Sequence, residues 1–143
     1  MRIVLDTNVL VSGLLSPFGP PGEIVRMASA GALTLCTDAR ILSEYGEVLR
    51  RPKFSFADAD VATLLEALRA QGHSVSSVPL PRALPDPGDE PFLEVALAGG
   101  ASCLVTGNRV HFPAGRCLGV PVLSPAELIA TWLRLHHDPL GAV

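Results

Sequence analysis

Residues 4–16 have the sequence VLDTNVLVSGLLS, in which three polar residues interrupt an otherwise apolar run. Val4 and Leu5 are typical of a buried strand, and the apolar pattern resumes after the interruption in the way that a helix would. Burying a lone carboxylate is costly unless it is paired, hydrogen-bonded or bound to a metal. Asp6 is therefore expected to be either the N-cap of the following helix or part of a site.

The composition of the chain indicates a folded protein and argues against several other classes. The 143 residues suit one domain, and the apolar fraction of 48% favours a packed core over disorder. A net charge of −3 argues against a broad basic surface, so a nucleic acid would have to be held locally. The three cysteines show no CxxC spacing, and Cys36 and Cys103, which lie inside apolar runs, are predicted to be reduced core residues. Because no apolar run approaches the length of a membrane-spanning helix, we expect a cytoplasmic protein that makes no membrane contact.

Strand-like and helix-like segments alternate along the chain. Helices are expected after the N-cap candidates Asp38 and Ser124 and in several other segments between the strands. This alternation predicts an α/β fold: a three-layer α/β/α sandwich with a central parallel sheet of four to five strands. We expect one domain over residues 1–135 and a tail over residues 136–143. The strands are predicted at residues 2–6, 32–37, 102–107 and 119–123.

Polar side chains are expected at the carboxyl ends of these strands. Asp6 and Asn108 each follow a strand directly, and Glu44 lies in the helix after the second strand. Asp86 and Asp89 lie where a Pro-rich loop meets the next helix. Parallel sheets bind ligands at this edge, and clustered carboxylates repel one another unless a cation lies between them. Mg²⁺ or Mn²⁺ prefers such oxygen ligands, so the sequence predicts a metal site suited to phosphodiester hydrolysis.

The three main acids also have simpler structural interpretations. Asp6 and Asp89 each precede a predicted helix and could be N-caps, in the case of Asp89 while also binding metal. Glu44 could lie on a solvated helix face or pair with Arg40, which precedes it by four residues.

Residues outside the three acids allow two interpretations as well. Asp86 fits a DPG turn, and Asn108 could be a left-handed turn residue. The basic cluster of Arg50, Arg51 and Lys53 could contact phosphate or complement a helix dipole. Lys53, the only lysine, is poorly placed for chemistry through an aspartyl phosphate.

Four blocks of sequence, in this order, resemble the PIN domain. The resemblance covers about residues 1–130 and is greatest to bacterial PIN-domain toxins of toxin–antitoxin pairs, the VapC-like group. The blocks are DTNVLVSGLLS (6–16), ILSEYGEVLRRPKF (41–54), DPGDEPFLEVALAGGASCLVTGN (86–108) and NRVHFP (108–113).

The resemblance implies a function and a set of site residues. It implies an endoribonuclease that uses Mg²⁺ or Mn²⁺ on single-stranded RNA, a cognate antitoxin and a homodimer. The family's fourth acid is replaced by Asn108, which offers a carbonyl oxygen but no charge and leaves a second metal site incomplete. An alternative is a PIN fold that has lost turnover and serves as an interaction module. The implied catalytic residues are Asp6, Glu44 and Asp89; the implied further metal ligands are Asn108 and Asp86, and the auxiliary polar groups are Asn8 and Thr106.

Overall fold

Five parallel strands form the centre of the computed structural model, which describes residues 1–136. The strand order is β3-β2-β1-β4-β5, and every neighbouring pair is parallel. The middle strand is buried from Ile3 to Leu5, as expected where helices cover both faces of a sheet. The strands are β1 (Arg2–Leu5), β2 (Thr34–Thr37), β3 (His73–Ser74), β4 (Cys103–Val105) and β5 (Val122–Leu123).

Within residues 1–136, six α-helices connect and cover the strands, and the predicted α/β class is confirmed. Helix α5 packs against β1, β2 and β4, and α4 packs against β2. The strand β3 was not predicted, because only two residues of the chain pair there with the end of β2. The helices are α1 (Thr7–Leu15), α2 (Pro20–Ala30), α3 (Ala39–Leu49), α4 (Asp58–Gln71), α5 (Glu90–Ala98) and α6 (Pro125–Leu135).

Local sequence signals set the helix ends. The Asp38 carboxylate accepts a hydrogen bond from the Ile41 backbone N–H (3.0 Å) at the start of α3. Ser124 and Glu127 form a capping box at the start of α6. Both N-cap predictions are confirmed. His136 follows α6, and the rest of the predicted tail, residues 137–143, lies outside the described residues.

The side chain of Tyr45 joins the elements that carry the candidate acids. Tyr45 in α3 is fully buried, and its hydroxyl donates to the Leu5 carbonyl at the end of β1. Its ring lies 6.4 Å from that of Phe92 in α5, measured between centroids. Burial and the charges of Asp6 and Glu44 raise the pKa of Tyr45 well above its usual value, so the hydroxyl stays a donor.

Cys36, Cys103 and Cys117 are free thiols and buried, as expected for core cysteines. None of the helices in residues 1–136 combines the length and apolar character that a membrane crossing requires.

Replacing Tyr45 by Phe should lower the free energy of unfolding by about 1–2 kcal/mol, because the buried Leu5 carbonyl then loses its hydroxyl donor. Urea denaturation followed by circular dichroism measures the change. Unchanged or increased stability would show that this hydrogen bond does not hold α3 against β1.

Candidate active site

Asp6 lies at the end of β1 and is 6% exposed. It occupies the N-cap position of α1 without a regular capping hydrogen bond, although the backbone N–H groups of Thr7 and Asn8 lower its pKa. Capping alone therefore does not account for Asp6. Thr106 Oγ1 donates to Asp6 Oδ2 (2.7 Å), and Asn8 Nδ2 donates to the same oxygen (3.2 Å). Burial raises the pKa of the Asp6 carboxyl, and the bond from Thr106 opposes that rise. Among the described residues, no side chain donates to the other oxygen, Oδ1.

Asp89 lies just before α5 and is 8% exposed. It too occupies an N-cap position without a capping hydrogen bond, so the expected capping role is wrong. Its Oδ2 is buried and has no hydrogen-bond partner within residues 1–136. His111 Nδ1 lies 3.2 Å from this oxygen, within ion-pair distance but not aligned as a hydrogen bond.

The electrostatics of Asp89 show that the acids act on one another. Burial makes the largest contribution in raising the pKa of Asp89 to about 6, followed by the charge of Asp6. His111 opposes the rise, whereas Asp86 and Glu44 add to it. Residues from four separate segments, those of Asp6, Glu44, Asp89 and His111, therefore act on one another electrostatically.

Glu44 is half-buried on α3, and its surroundings differ from both simple interpretations. Thr7 Oγ1 donates a hydrogen bond to Glu44 Oε2, which directs the carboxylate toward the end of β1. The suggested partner Arg40 instead pairs with Asp38 and Glu94, each at 2.7 Å. The Arg40–Glu44 pairing is therefore wrong, because a carboxylate on α5 competes for the guanidinium.

The segment that follows β4 helps to position the Asp6 carboxylate. Thr106 is fully buried, and its hydroxyl accepts from the Asn108 backbone N–H (3.0 Å). Asn8 Oδ1 accepts from the Gly107 backbone N–H (3.2 Å). Thr106 and Asn8 thus hold the Asp6 carboxylate in place, which agrees with their expected auxiliary role.

Asp86 and Asn108 are the two further ligands implied by the resemblance. A side-chain oxygen of each accepts a hydrogen bond from a nearby backbone N–H. Asp86 is exposed, and its Oδ1 accepts from the Gly88 backbone N–H (2.8 Å), which confirms the turn interpretation. Asn108 Oδ1 accepts from the Val110 backbone N–H (3.3 Å). The φ of Asn108 is −141°, so the suggested left-handed conformation is wrong.

The basic cluster predicted at the end of α3 is largely neutralised. Arg50 pairs with Asp58 (2.7 Å), and Arg51 pairs with Glu47 (3.2 Å). The ammonium group of Lys53 lies 5.0 Å from the centre of the Phe54 ring. These contacts favour a local structural role over phosphate binding.

The chemistry of Asp6 and Asp89 suits a hard cation, although the described residues do not form a complete set of metal ligands. Within residues 1–136, no three His, Cys, Asp or Glu side chains converge as a ready-made metal-binding group. Mg²⁺ commonly binds through one or two carboxylates, with water and substrate phosphate oxygens completing its coordination. Asp6 and Asp89 meet that requirement, because both are buried, neither pairs with Lys or Arg in the described chain, and Asp89 Oδ2 has no hydrogen bond.

Thr7 and His111 belong to this site but were not predicted to be functional. The position of Thr7 beside Asp6 was a signal for it. The sequence placed His111 near the site, after the fourth predicted strand, but a lone loop histidine is usually not catalytic, so no role was predicted for it; it lies in a short 3₁₀ turn, Arg109–His111.

Comparison with known proteins agrees with the fold. Residues 2–110 match the family described as the PIN domain, and the chain belongs to that family. Members are generally nucleases and typically use divalent metals.

Two individual proteins are similar to this chain. It is 30% identical over 113 residues to the uncharacterized protein MJ1680 of Methanocaldococcus jannaschii, covering 76% of this chain and 72% of that protein. The crystal structure of PAE2754 from Pyrobaculum aerophilum has a similar fold, with a TM-score of 0.60 at 15% identity. That similarity covers 94% of this chain and 90% of the other.

Replacing Asp89 by Asn should stabilise the metal-free protein at pH 7.5 by roughly 1–3 kcal/mol, since about two pKa units correspond to about 3 kcal/mol at most. With the folded-state pKa raised to about 6 from 3.8, the wild type gains stability as the pH falls through 6 toward 4. The advantage of the variant should therefore disappear near pH 4.

Thermal unfolding in the presence of a chelator, measured across this pH range, tests the predicted direction of the change in stability. Asp60→Asn is the control, because Asp60 is exposed on α4 and its side chain has no ion pair or hydrogen bond within residues 1–136. A variant less stable than wild type at pH 7.5 would contradict the assignment of Asp89 as an uncompensated carboxylate.

Proposed function

We propose that this protein is an Mg²⁺- or Mn²⁺-dependent endoribonuclease that hydrolyses phosphodiester bonds of single-stranded RNA. The observation that carries the proposal is the pair of buried carboxylates, Asp6 and Asp89, at the carboxyl edge of the sheet. Keeping both ionised without a cation is unfavourable, as the raised pKa of Asp89 shows. Membership of a family of nucleases supports the same chemistry.

Some residues of the site would bind the cation, and others would orient its ligands or the attacking water. A divalent cation supplies a water of lowered pKa and stabilises negative charge on a phosphoryl oxygen. Asp6 and Asp89 would hold the cation, while Thr106 and Asn8 fix the orientation of Asp6. Glu44 would orient the attacking water through Oε1, because Oε2 already accepts a hydrogen bond from Thr7.

The substrate class and the biological role rest on the sequence resemblance. Single-stranded RNA suits a chain of net charge −3, because a flexible strand can reach a local anionic site without a broad basic surface. On the same basis we propose that the protein is the toxin of a toxin–antitoxin pair, that a cognate antitoxin binds it and that it forms a homodimer in the cytoplasm.

The isosteric variants Asp6→Asn, Glu44→Gln and Asp89→Asn should each lower Mn²⁺-stimulated cleavage by about 100-fold or more, because each removes a charge that the cation or the water requires. Initial rates on a labelled single-stranded RNA measure the loss. A DNA strand of the same sequence tests the preference for RNA.

The matched control for Glu44→Gln is Glu47→Gln, which changes an exposed glutamate of the same helix and should retain full activity. Circular dichroism of every variant tests that the fold is intact. Equal cleavage by the wild type and Asp6→Asn would reject the nuclease proposal.

The alternative is a PIN fold that acts as an interaction module without turnover. Two observations favour it: Asn108 replaces an acid of the family pattern, and its side-chain oxygen already accepts a hydrogen bond from Val110. Calorimetric titration with Mn²⁺ separates the two functions. We expect the wild type to bind Mn²⁺ with a millimolar or lower Kd, and Asp89→Asn to bind it more weakly. If the wild type binds no Mn²⁺, the interaction module without turnover is favoured.

A further inference from the structure

An acidic site that cleaves RNA needs a separate contact for the strand. RNA carries a negative charge on every phosphate, and the carboxylates of Asp6, Glu44 and Asp89 repel these charges wherever no cation lies between them. The net charge of −3 gives the chain no overall attraction for RNA. The strand must therefore be held by individual basic side chains whose charge the protein does not already neutralise.

Ion pairs within the protein neutralise part of its basic residues. The arginines that pair with Asp or Glu are Arg40, Arg50, Arg51, Arg69 and Arg109. Those without an ion pair to residues 1–136 are Arg2, Arg26, Arg82, Arg116 and Arg134. Arg2 begins β1, at the sheet edge opposite to the acids, and Arg26 and Arg134 lie on α2 and α6. Arg82 and Arg116 instead lie in loops next to the acidic site.

Arg82 and Arg116 are brought together by a contact between their two loops. Arg116 Nη1 donates to the Ala83 carbonyl (3.1 Å), so its guanidinium lies beside the residue that follows Arg82. This bond uses one of the five N–H donors of the guanidinium and leaves others for phosphate oxygens. Arg82 is exposed, and in the described chain its side chain makes no hydrogen bond or ion pair. The two residues are called the arginine pair below.

The loops that carry the arginine pair are both held beside Asp89. The Leu84 backbone N–H donates to Glu90 Oε2 (2.9 Å), and Glu90 directly follows Asp89. In the other loop, His111 Nδ1 lies 3.2 Å from Asp89 Oδ2, and Arg116 comes five residues after His111. These contacts place the arginine pair near the start of α5, outside the acidic site itself.

We propose that Arg82 and Arg116 bind the backbone of the RNA substrate, at a phosphate other than the one that is cleaved. The inference rests on the proposed nuclease function and identifies where the strand is held. Guanidinium groups suit this task because their planar N–H donors match the oxygens of a phosphate. Since phosphate contacts carry no base information, the arginine pair determines the position of the strand and not the choice of sequence.

The variants Arg82→Gln and Arg116→Gln each remove one charge and test the proposal by direct binding. Fluorescence anisotropy with a fluorescein-labelled single-stranded RNA is measured in EDTA, so that no cleavage occurs. The Kd should rise by about 3- to 5-fold in each variant and by about 10-fold in the double variant. The dependence of log Kd on log salt concentration should become less steep by about 0.7 per arginine removed.

Steady-state cleavage with Mn²⁺ gives a second readout. The KM for RNA should rise by the same factors in the two variants, because the strand is held less tightly. Neither kcat nor the calorimetric affinity for Mn²⁺ should change, because the substitutions leave the acidic site intact. A loss confined to kcat would contradict a role in holding the strand.

The matched control is Arg26→Gln. Arg26 resembles Arg116 because its Nη1 also donates to a backbone carbonyl, that of Pro17, and it has no ion pair to the described residues. It lies on α2, away from the two loops, so the RNA affinity and its salt dependence should not change. Arg116→Lys keeps the charge and should keep the salt dependence of the wild type. Thermal unfolding of every variant measures whether the loop contact to Ala83 affects stability.

Several outcomes would overturn the inference. Unchanged affinity and salt dependence in the double variant would reject the arginine pair, and so would an equal loss in Arg26→Gln. A change in salt dependence as large in Arg116→Lys as in Arg116→Gln would show that the charge is not what matters. Absence of RNA binding by the wild type at low salt would reject it as well.

These measurements separate failure of this inference from failure of the proposed function. If the wild type cleaves RNA and the double variant cleaves it with the same KM, the arginine pair is rejected and the nuclease stands. If RNA binding in EDTA depends on the arginine pair but the wild type does not cleave RNA with Mn²⁺, the binding site is supported and the nuclease is rejected.

Discussion

Mutual repulsion between two buried carboxylates is the constraint around which this structure is arranged. Asp6 and Asp89 come from different elements, yet the charge of Asp6 is the largest electrostatic contribution to the raised pKa of Asp89. A protein selected only for stability would replace one of them, because an uncompensated buried charge is costly. Hydrogen bonds from Thr106 and Asn8 nevertheless hold Asp6 in this unfavourable position. Such arrangements are typical of functional sites.

Local signals in the sequence were sufficient for the α/β fold class and for the strands β1, β2, β4 and β5, but not for β3. An apolar run that breaks at Asp6 marks both the end of a central strand and the start of a site. Asp38 and Ser124 mark helix starts because capping depends on residues only three positions apart. The carboxyl-edge rule for parallel sheets then places Glu44 and Asp89 near Asp6. Each of these inferences needs only neighbours along the chain or a general rule of topology.

Contacts between distant segments could not be predicted in the same way. Arg40 lies one helical turn from Glu44, but it pairs with Glu94, which is 54 residues away. Thr7 and Glu44 are separated by 37 residues, and only the packing of α3 against α1 brings them together. The capping role expected of Asp89 is wrong for a related reason: Asp89 lies at a helix start, but its carboxylate faces His111 of another segment.

The position of Tyr45 beside the acidic site has a spectroscopic consequence. It is the only tyrosine in the chain, and it lies fully buried where the charges of Asp6 and Glu44 act on its phenol. The ultraviolet absorption of a phenol responds to the local electric field, so this ring is a built-in optical reporter at the wall of the acidic site. Neutralising those charges would alter its spectrum without any label having been attached.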